Sequence, residues 1–262
     1  MPPDREPDVA AAVARLDALT RRLRRECPWD REQDERSIVP HTVEEAYELA
    51  DAAHAGDDAK LLDELGDVLF QVHFLSLLLE ERGAGDLAAV AEHCRQKLIR
   101  RHPHVFATGQ DVEVENAAQV LRTWDRIKRS EPGREDGIFG DVPANLPALL
   151  HARKVQRRVA SGGFDADRVP YDAVSAELEE LEAAAGDREA AFEEVGDVLF
   201  AAVNVARKLR VDPELALRAA SGRFRGRVEA AEALAARAGR PWEDLGPGDK
   251  LSFYAQARLH EA

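Results

Sequence analysis

The sequence predicts an all-α protein built from two tandem helical-bundle domains. Three observations carry that expectation. No segment sustains the two-residue apolar/polar alternation of a half-buried strand. Ala, Leu, Glu and Arg are abundant while aromatic residues make up 6% of the 262 residues, a composition that favours helix. And Asp63-Glu64-Leu65-Gly66-Asp67-Val68-Leu69-Phe70 recurs as Glu193-Glu194-Val195-Gly196-Asp197-Val198-Leu199-Phe200. A repeat at that interval is domain-sized and points to duplication rather than to a solenoid.

Taken in order, residues 1–8 are charged and proline-rich and are expected to lack regular structure. Val9 to Arg25 places Val13, Leu16, Leu19 and Leu23 at helical period and should end at Cys27-Pro28, because a residue before proline leaves the helical region. A polar loop is expected to about His41. Thr42 then reads as an N-cap with Glu45 three residues on, the capping-box spacing, so Glu45 has a structural explanation beside any functional one. That helix should stop at Gly56-Asp57-Asp58. Further helices are expected over Ala59 to Arg82, Asp86 to Arg101 and Asn116 to Arg129.

The glycine- and proline-rich stretch that follows marks a linker, giving a first domain over 1–130, a linker over 131–147 and a second domain over 148–262. In the second, helices are expected at Ala148 to Ala160, Asp172 to Ala185, Arg188 to Arg210, Pro213 to Ala238 and Pro247 to Ala262. Ser161-Gly162-Gly163-Phe164-Asp165 takes the place of Cys27-Pro28-Trp29-Asp30.

The net charge of −14 argues against a nucleic acid polymer as partner, which needs a concentrated basic surface. The longest apolar run, Val68 to Leu79, is broken by Gln71, His73 and Ser76; it is too short for a bilayer span and reads as a core helix. Two cysteines, Cys27 and Cys94, form neither a metal-ligand spacing nor a disulfide framework. With no apolar signal core at the N-terminus, a cytoplasmic setting is expected.

The chemistry is concentrated in carboxylates. Glu45 and Glu48, then Glu64 and Asp67, stand three apart on consecutive helices, and Glu177, Glu180, Glu194 and Asp197 repeat the arrangement. Residues three apart share a helix face. With 50 acidic residues in the chain, one such pair is ordinarily a solvated surface. Two pairs per copy, repeated, and leading into a strongly apolar helix, point to a centre for a hard divalent cation with oxygen ligands, Mg²⁺ or Mn²⁺. No Glu-x-x-His motif suggests a di-iron bundle.

Basic and aromatic residues repeat as well. Lys97 and Arg101, with Trp124 and Lys128, match Arg223 and Arg227, with Tyr254 and Arg258. Each pair lies four apart on one helix face. They read either as a polyphosphate clamp with an aromatic for a base, or as surface charge with an aromatic core anchor. Gly66 and Gly196 stand inside helices, at a cost of about 1 kcal/mol relative to Ala; a close helix or a nearby ligand would account for that. His102 and His104 read as a helix-end turn rather than as metal ligands.

Glu44-Glu45-x-x-Glu48 and Glu64-x-x-Asp67, with Cys27-Pro28-Trp29-Asp30 upstream and Arg100-Arg101-His102-Pro103-His104-Val105-Phe106 downstream, resemble MazG, a family of nucleoside triphosphate pyrophosphohydrolases in the all-α NTP pyrophosphatase superfamily. The resemblance covers nearly the whole chain, including the tandem form. It implies Mg²⁺-dependent hydrolysis of an NTP or dNTP to the monophosphate and pyrophosphate. It implies Glu45, Glu48, Glu64, Asp67, Glu177, Glu180, Glu194 and Asp197 as metal ligands. It also implies Lys97, Arg101, Trp124, Lys128, Arg223, Arg227, Tyr254 and Arg258 as substrate contacts. Glu48 and Glu180 are candidates to orient the attacking water. The second copy departs from the first: Ala176 stands where Glu44 does, arginines replace the lysines and Tyr254 replaces the tryptophan, so the two sites need not be equally active. The apolar helix after each Glu-x-x-Asp suggests a homodimer. The rival readings are a nucleotide-sensing or metal-binding module without turnover, and a helical interaction scaffold.

Overall fold

A computed structural model describes residues 6–106, 116–131, 137–140 and 142–259. The described residues are helical with no strand, as the composition predicts. The chain divides into two compact units, Met1–Glu131 and Pro132–Ala262. Residues 107–115, part of the expected linker (132–136 and 141), and the first five and last three residues lie outside the described residues.

The first unit holds α1 (Glu6–Glu26), α2 (Pro28–Glu32), α3 (Glu35–Ala55), α4 (Asp58–Glu81), α5 (Leu87–Arg101), the short α6 (Pro103–Phe106) and α7 (Ala117–Arg129). α3 and α4 form an antiparallel hairpin closed by Gly56, which takes a left-handed conformation at φ +69° that costs a residue with a Cβ more than it costs glycine. α1 packs on α4. Their core gathers Ile38, Phe74 and Leu78, with Phe70 and Leu75 against them. The Arg24 guanidinium lies 5.8 Å from the centre of the Phe74 ring. It donates to Glu81 at 2.8 and 2.9 Å, to the Gln33 carbonyl at 3.0 Å and to the Asp30 carbonyl at 2.5 Å. One side chain of α1 therefore holds the Cys27–Asp30 corner against the end of α4.

Three sequence expectations need correction. α1 begins at Glu6, inside the stretch expected to be irregular. The loop expected to run to His41 is mostly helix. Pro28 stands at the first position of α2, where its missing N–H removes no bond. α3 then starts at Glu35, capped by a reciprocal pair: Asp34 accepts from the Ser37 backbone at 2.8 Å, and Ser37 Oγ accepts from the Asp34 backbone at 2.9 Å. Thr42 is consequently not an N-cap. It sits inside α3, its hydroxyl 3.3 Å from the Ile38 carbonyl and from Gln71 Oε1. The capping explanation for Glu45 falls with it.

The second unit holds α8 (Ala148–Ser161), α9 (Tyr171–Ala183), α10 (Arg188–Lys208), α11 (Pro213–Arg237), a 3-10 turn at Trp242–Asp244 and α12 (Pro247–Leu259). α9 and α10 pair as α3 and α4 do, and α8 packs on α10. Its core lies elsewhere, where α12 folds back on α11: Ala231, Ala235, Leu245, Phe253 and Ala257, with Leu234, Trp242 and Tyr254 packed against them. Small alanines on α11 let α12 approach closely enough for Phe253 to be buried between them.

Candidate active site

In the first unit, antiparallel pairing of α3 and α4 faces Glu45 and Glu48 towards Glu64. One carboxylate oxygen from each lies within 4.8 Å of the others. Asp67 stands beside this trio; after burial, it is the strongest of the charges that push the Glu45 carboxyl above its ordinary pKa, ahead of Glu48, Glu64 and Glu44. Glu64 is nearly enclosed, at 4% exposure. Burial first, then Glu48, raises its pKa, and Lys60 Nζ at 3.8 Å opposes them.

In the second unit the converging trio is Glu177, Glu194 and Asp197, again within 4.8 Å of one another. Glu180 lies outside that trio but is its neighbour: burial raises the Glu194 pKa most, then the charge of Glu180, then Asp197 and Glu177. All eight carboxylates predicted from the sequence thus belong to two clusters, each a trio with a fourth close by. The fourth differs, Asp67 in one and Glu180 in the other.

Both clusters fit a divalent cation. The donors are carboxylate oxygens, the type hard cations take. Lys60 offsets part of the mutual repulsion at Glu64, and a doubly charged ion would relieve the repulsion in both clusters. The described residues contain no other group of His, Cys, Asp or Glu drawn together in this way. His102 is a helix cap, its Nδ1 2.6 Å from the Leu98 carbonyl, in keeping with the helix-end reading.

The basic residues are arranged less simply. Arg101 is buried and committed to Glu131, with Nε to Oε1 at 2.9 Å and Nη2 to Oε2 at 2.5 Å. Its guanidinium lies 5.2 Å from the Trp124 ring, and Lys128 Nζ lies 5.3 Å from the same ring. Trp124 is therefore flanked by two cations, a contact of the cation–π type. Lys97 is half-buried, and Arg223 and Arg258 are exposed; none of the three forms an ion pair with either cluster among the described residues. Arg227 is half-buried. Tyr254 packs beside the α11–α12 core and 5.7 Å from Phe224, so its ring is an anchor for that core. Sequence reasoning missed Lys60, though it stands one helical turn before Glu64, and Glu131, whose separation of 30 residues from Arg101 left no local signal.

An all-α hairpin that presents four carboxylates from two consecutive helices defines a class of acidic helical proteins whose carboxylates could hold a metal ion, and the chain carries that hairpin twice. Residues 33–106, which span the first hairpin, match the model of the MazG nucleotide pyrophosphohydrolase domain. Over 239 residues the chain is 39% identical to a nucleoside triphosphate pyrophosphohydrolase of Escherichia coli K12, covering 87% of this chain and 89% of that protein. It is also 39% identical over 231 residues to the nucleoside triphosphate pyrophosphohydrolase/pyrophosphatase MazG of Thermotoga maritima, covering 87% of each. The chain belongs to the MazG nucleotide pyrophosphohydrolase family.

Proposed function

We propose that this protein is a nucleoside triphosphate pyrophosphohydrolase that cleaves NTPs and dNTPs to the monophosphate and pyrophosphate. The observation that carries the reading is the double convergence of carboxylates, three within 4.8 Å in each unit, in a chain 39% identical to enzymes of that name. The two units act as tandem domains, 1–130 and 148–262, joined by 131–147.

Glu45, Glu48, Glu64 and Asp67 would hold the cation in the first domain, and Glu177, Glu180, Glu194 and Asp197 in the second. Mg²⁺, with Mn²⁺ as a substitute, would screen the triphosphate and polarise its oxygens. Glu48 and Glu180, both exposed, orient the water that attacks the α-phosphorus and take its proton. Lys97 and Lys128 in the first domain, and Arg223, Arg227 and Arg258 in the second, steady the departing pyrophosphate, while Arg101, held by Glu131, backs the Trp124 ring. Trp124 and Tyr254 complete the set the family resemblance implies, in supporting positions. No covalent intermediate is needed, since positioning and charge suffice.

The protein acts as a homodimer. On α4, Leu62 (74% exposed), Leu65, Leu69 and Val72 recur at a spacing of three and four residues on an open face, and on α10 Phe192 (81% exposed), Val195 and Leu199 do the same. That spacing is the seam of one helix packing lengthwise on another. A Cβ at Gly66 or Gly196, beside these stripes, would meet nothing within 4 Å, which leaves the two glycines to the approach of a second copy or of a nearby ligand. No helix among the described residues is long and apolar enough to cross a membrane, and the reading places the protein in the cytoplasm, with no membrane or nucleic acid polymer as partner.

The test is pyrophosphate release from a panel of NTPs and dNTPs with Mg²⁺, comparing wild type with Glu48→Gln, Glu180→Gln and the double variant. Loss of at least a hundredfold in the double variant is expected. Partial loss in each single variant means both domains turn over; full loss in one identifies the working domain. A folded, metal-loaded wild type that binds nucleotides and releases nothing would make the protein a sensor instead.

A further inference from the structure

The two carboxylate clusters differ by one charge. On α4, Lys60 stands four residues before Glu64, and its Nζ lies 3.8 Å from Glu64 Oε1. In the register set by Gly66 and Gly196, the residue of α10 that corresponds to Lys60 is Ala190, four before Glu194. We infer that Lys60 is a resident cation of the first cluster, which a metal ion has to displace, so that the second cluster takes up its divalent cation at a lower concentration than the first. The inference rests on the cation-binding part of the proposed function and not on turnover.

Three observations support it. The first is where the ammonium sits. Glu64 is the deepest member of its trio, at 4% exposure, while Glu45 is half-buried and Glu48 exposed. A carboxylate with little water around it gains more from an opposite charge than an exposed one does. The Lys60 side chain is itself half-exposed, so its ammonium reaches Glu64 from the solvent side and leaves again without opening the core.

The second is the balance of charge around the matching carboxylate. Lys60 is among the charges that act on Glu64, opposing Glu48, Asp67 and Asp63. The charges that act most strongly on Glu194 are those of Glu180, Asp197, Glu177 and Glu193, all negative. An incoming dication therefore meets one fixed positive charge at the first cluster and finds a more purely negative field at the second.

The third is access. Glu194 is half-buried and Asp197 exposed, in contrast to the enclosed Glu64. Mg²⁺ sheds its water reluctantly and keeps several water ligands when bound. The more open cluster lets it keep them. When the metal is scarce, the second domain is then the one that stays loaded.

Mn²⁺ binding to the full chain, followed by electron paramagnetic resonance without nucleotide, tests this directly. Glu194→Gln leaves the first cluster to be measured alone, and Glu64→Gln leaves the second. The second site should bind about tenfold more tightly than the first, the scale of one unit charge a few ångströms from a dication in a largely solvated site. Lys60→Ala, added to Glu194→Gln, should tighten the first site by about the same factor, and Ala190→Lys, added to Glu64→Gln, should weaken the second. A first site that binds at least as tightly as the second overturns the inference, and so does first-site binding that Lys60→Ala leaves unchanged. If that variant weakens the binding of inorganic tripolyphosphate instead, Lys60 is a phosphate contact and the inference fails. Should either carboxylate variant fail to fold, Lys60→Ala alone decides. The two binding steps of the wild type should then draw together, and steps that stay apart are fatal to the idea. Ordered Mn²⁺ binding in a wild type that releases no pyrophosphate would leave this inference standing and remove the hydrolase reading.

Discussion

The first and second units carry nearly the same carboxylate geometry on differently built scaffolds. In the first, α4 buries Phe74 and Leu78 against Ile38 of α3, and Arg24 seals the edge. In the second, the matching stretch of α10 is Asn204, Arg207 and Lys208, and the apolar core has moved to the contact of α11 with α12. The Glu of the Glu-x-x-Asp at the start of each long helix nevertheless meets a Glu from the preceding helix, Glu64 with Glu45 and Glu194 with Glu177. A cluster of mutually repelling carboxylates depends on the helix pair that presents it. The interior one or two turns away is free to change, provided the pair still packs.

Several experiments break or sharpen that comparison. The largest effect should come from Phe74→Ala, which empties the first core. It should destabilise the first unit by about 3–5 kcal/mol. Urea unfolding followed by tryptophan fluorescence separates the two units in Trp→Phe variants that keep either Trp29 and Trp124, which report the first, or Trp242, which reports the second. A shift of the Trp242 signal by the same amount would mean that the two cores are one cooperative system.

A smaller effect is expected from Glu131→Gln, which breaks the paired hydrogen bonds to Arg101 and should cost about 1.5–3 kcal/mol. The hydrogen bond from Arg101, with that from Arg100, holds the Glu131 carboxyl down at about 2, against an ordinary 4.5. A carboxyl whose pKa is depressed in the fold stabilises it above the unfolded value and ceases to do so as pH falls through the folded one. Wild-type stability should therefore decline from about pH 4.5 towards 2, and the Glu131→Gln protein should lack that component. Asp165 gives the second unit a parallel device: Arg207 first, then Lys208, hold it at about 2 against 3.8. Asp165→Asn should remove the acid dependence between those values from the Trp242 signal and leave Trp29 and Trp124 unaffected. Acid titrations of the three proteins check both statements.

The smallest effect concerns helix starts. α3 has the reciprocal Asp34–Ser37 cap, while α9 begins behind Pro170 with no side-chain cap. Asp34→Ala should lower the stability of the first unit by about 1 kcal/mol, read as a shift of the urea midpoint. No change would show that packing of α3 on α4 alone determines where α3 starts.

Much of this was legible in the sequence because it is local. Helical period and the repeat around Gly66 and Gly196 depend on residues within a turn or two of one another. So does the placing of Glu64 with Asp67 on one face. The misplacement of the start of α3 is instructive for the same reason. Thr42 and Glu45 imitate a capping box, yet Asp34 and Ser37 offered an equally local cap, and α3 starts there.

What the sequence by itself determined is the all-α class, the duplication and the eight carboxylates, since spacing along a helix prescribes which side chains share a face. Only the tertiary structure decided which three carboxylates converge in each copy. It also decided that Arg101 is held by Glu131. Each of these is a contact between elements far apart in the chain. Such contacts depend on how whole helices pack, which no local spacing encodes.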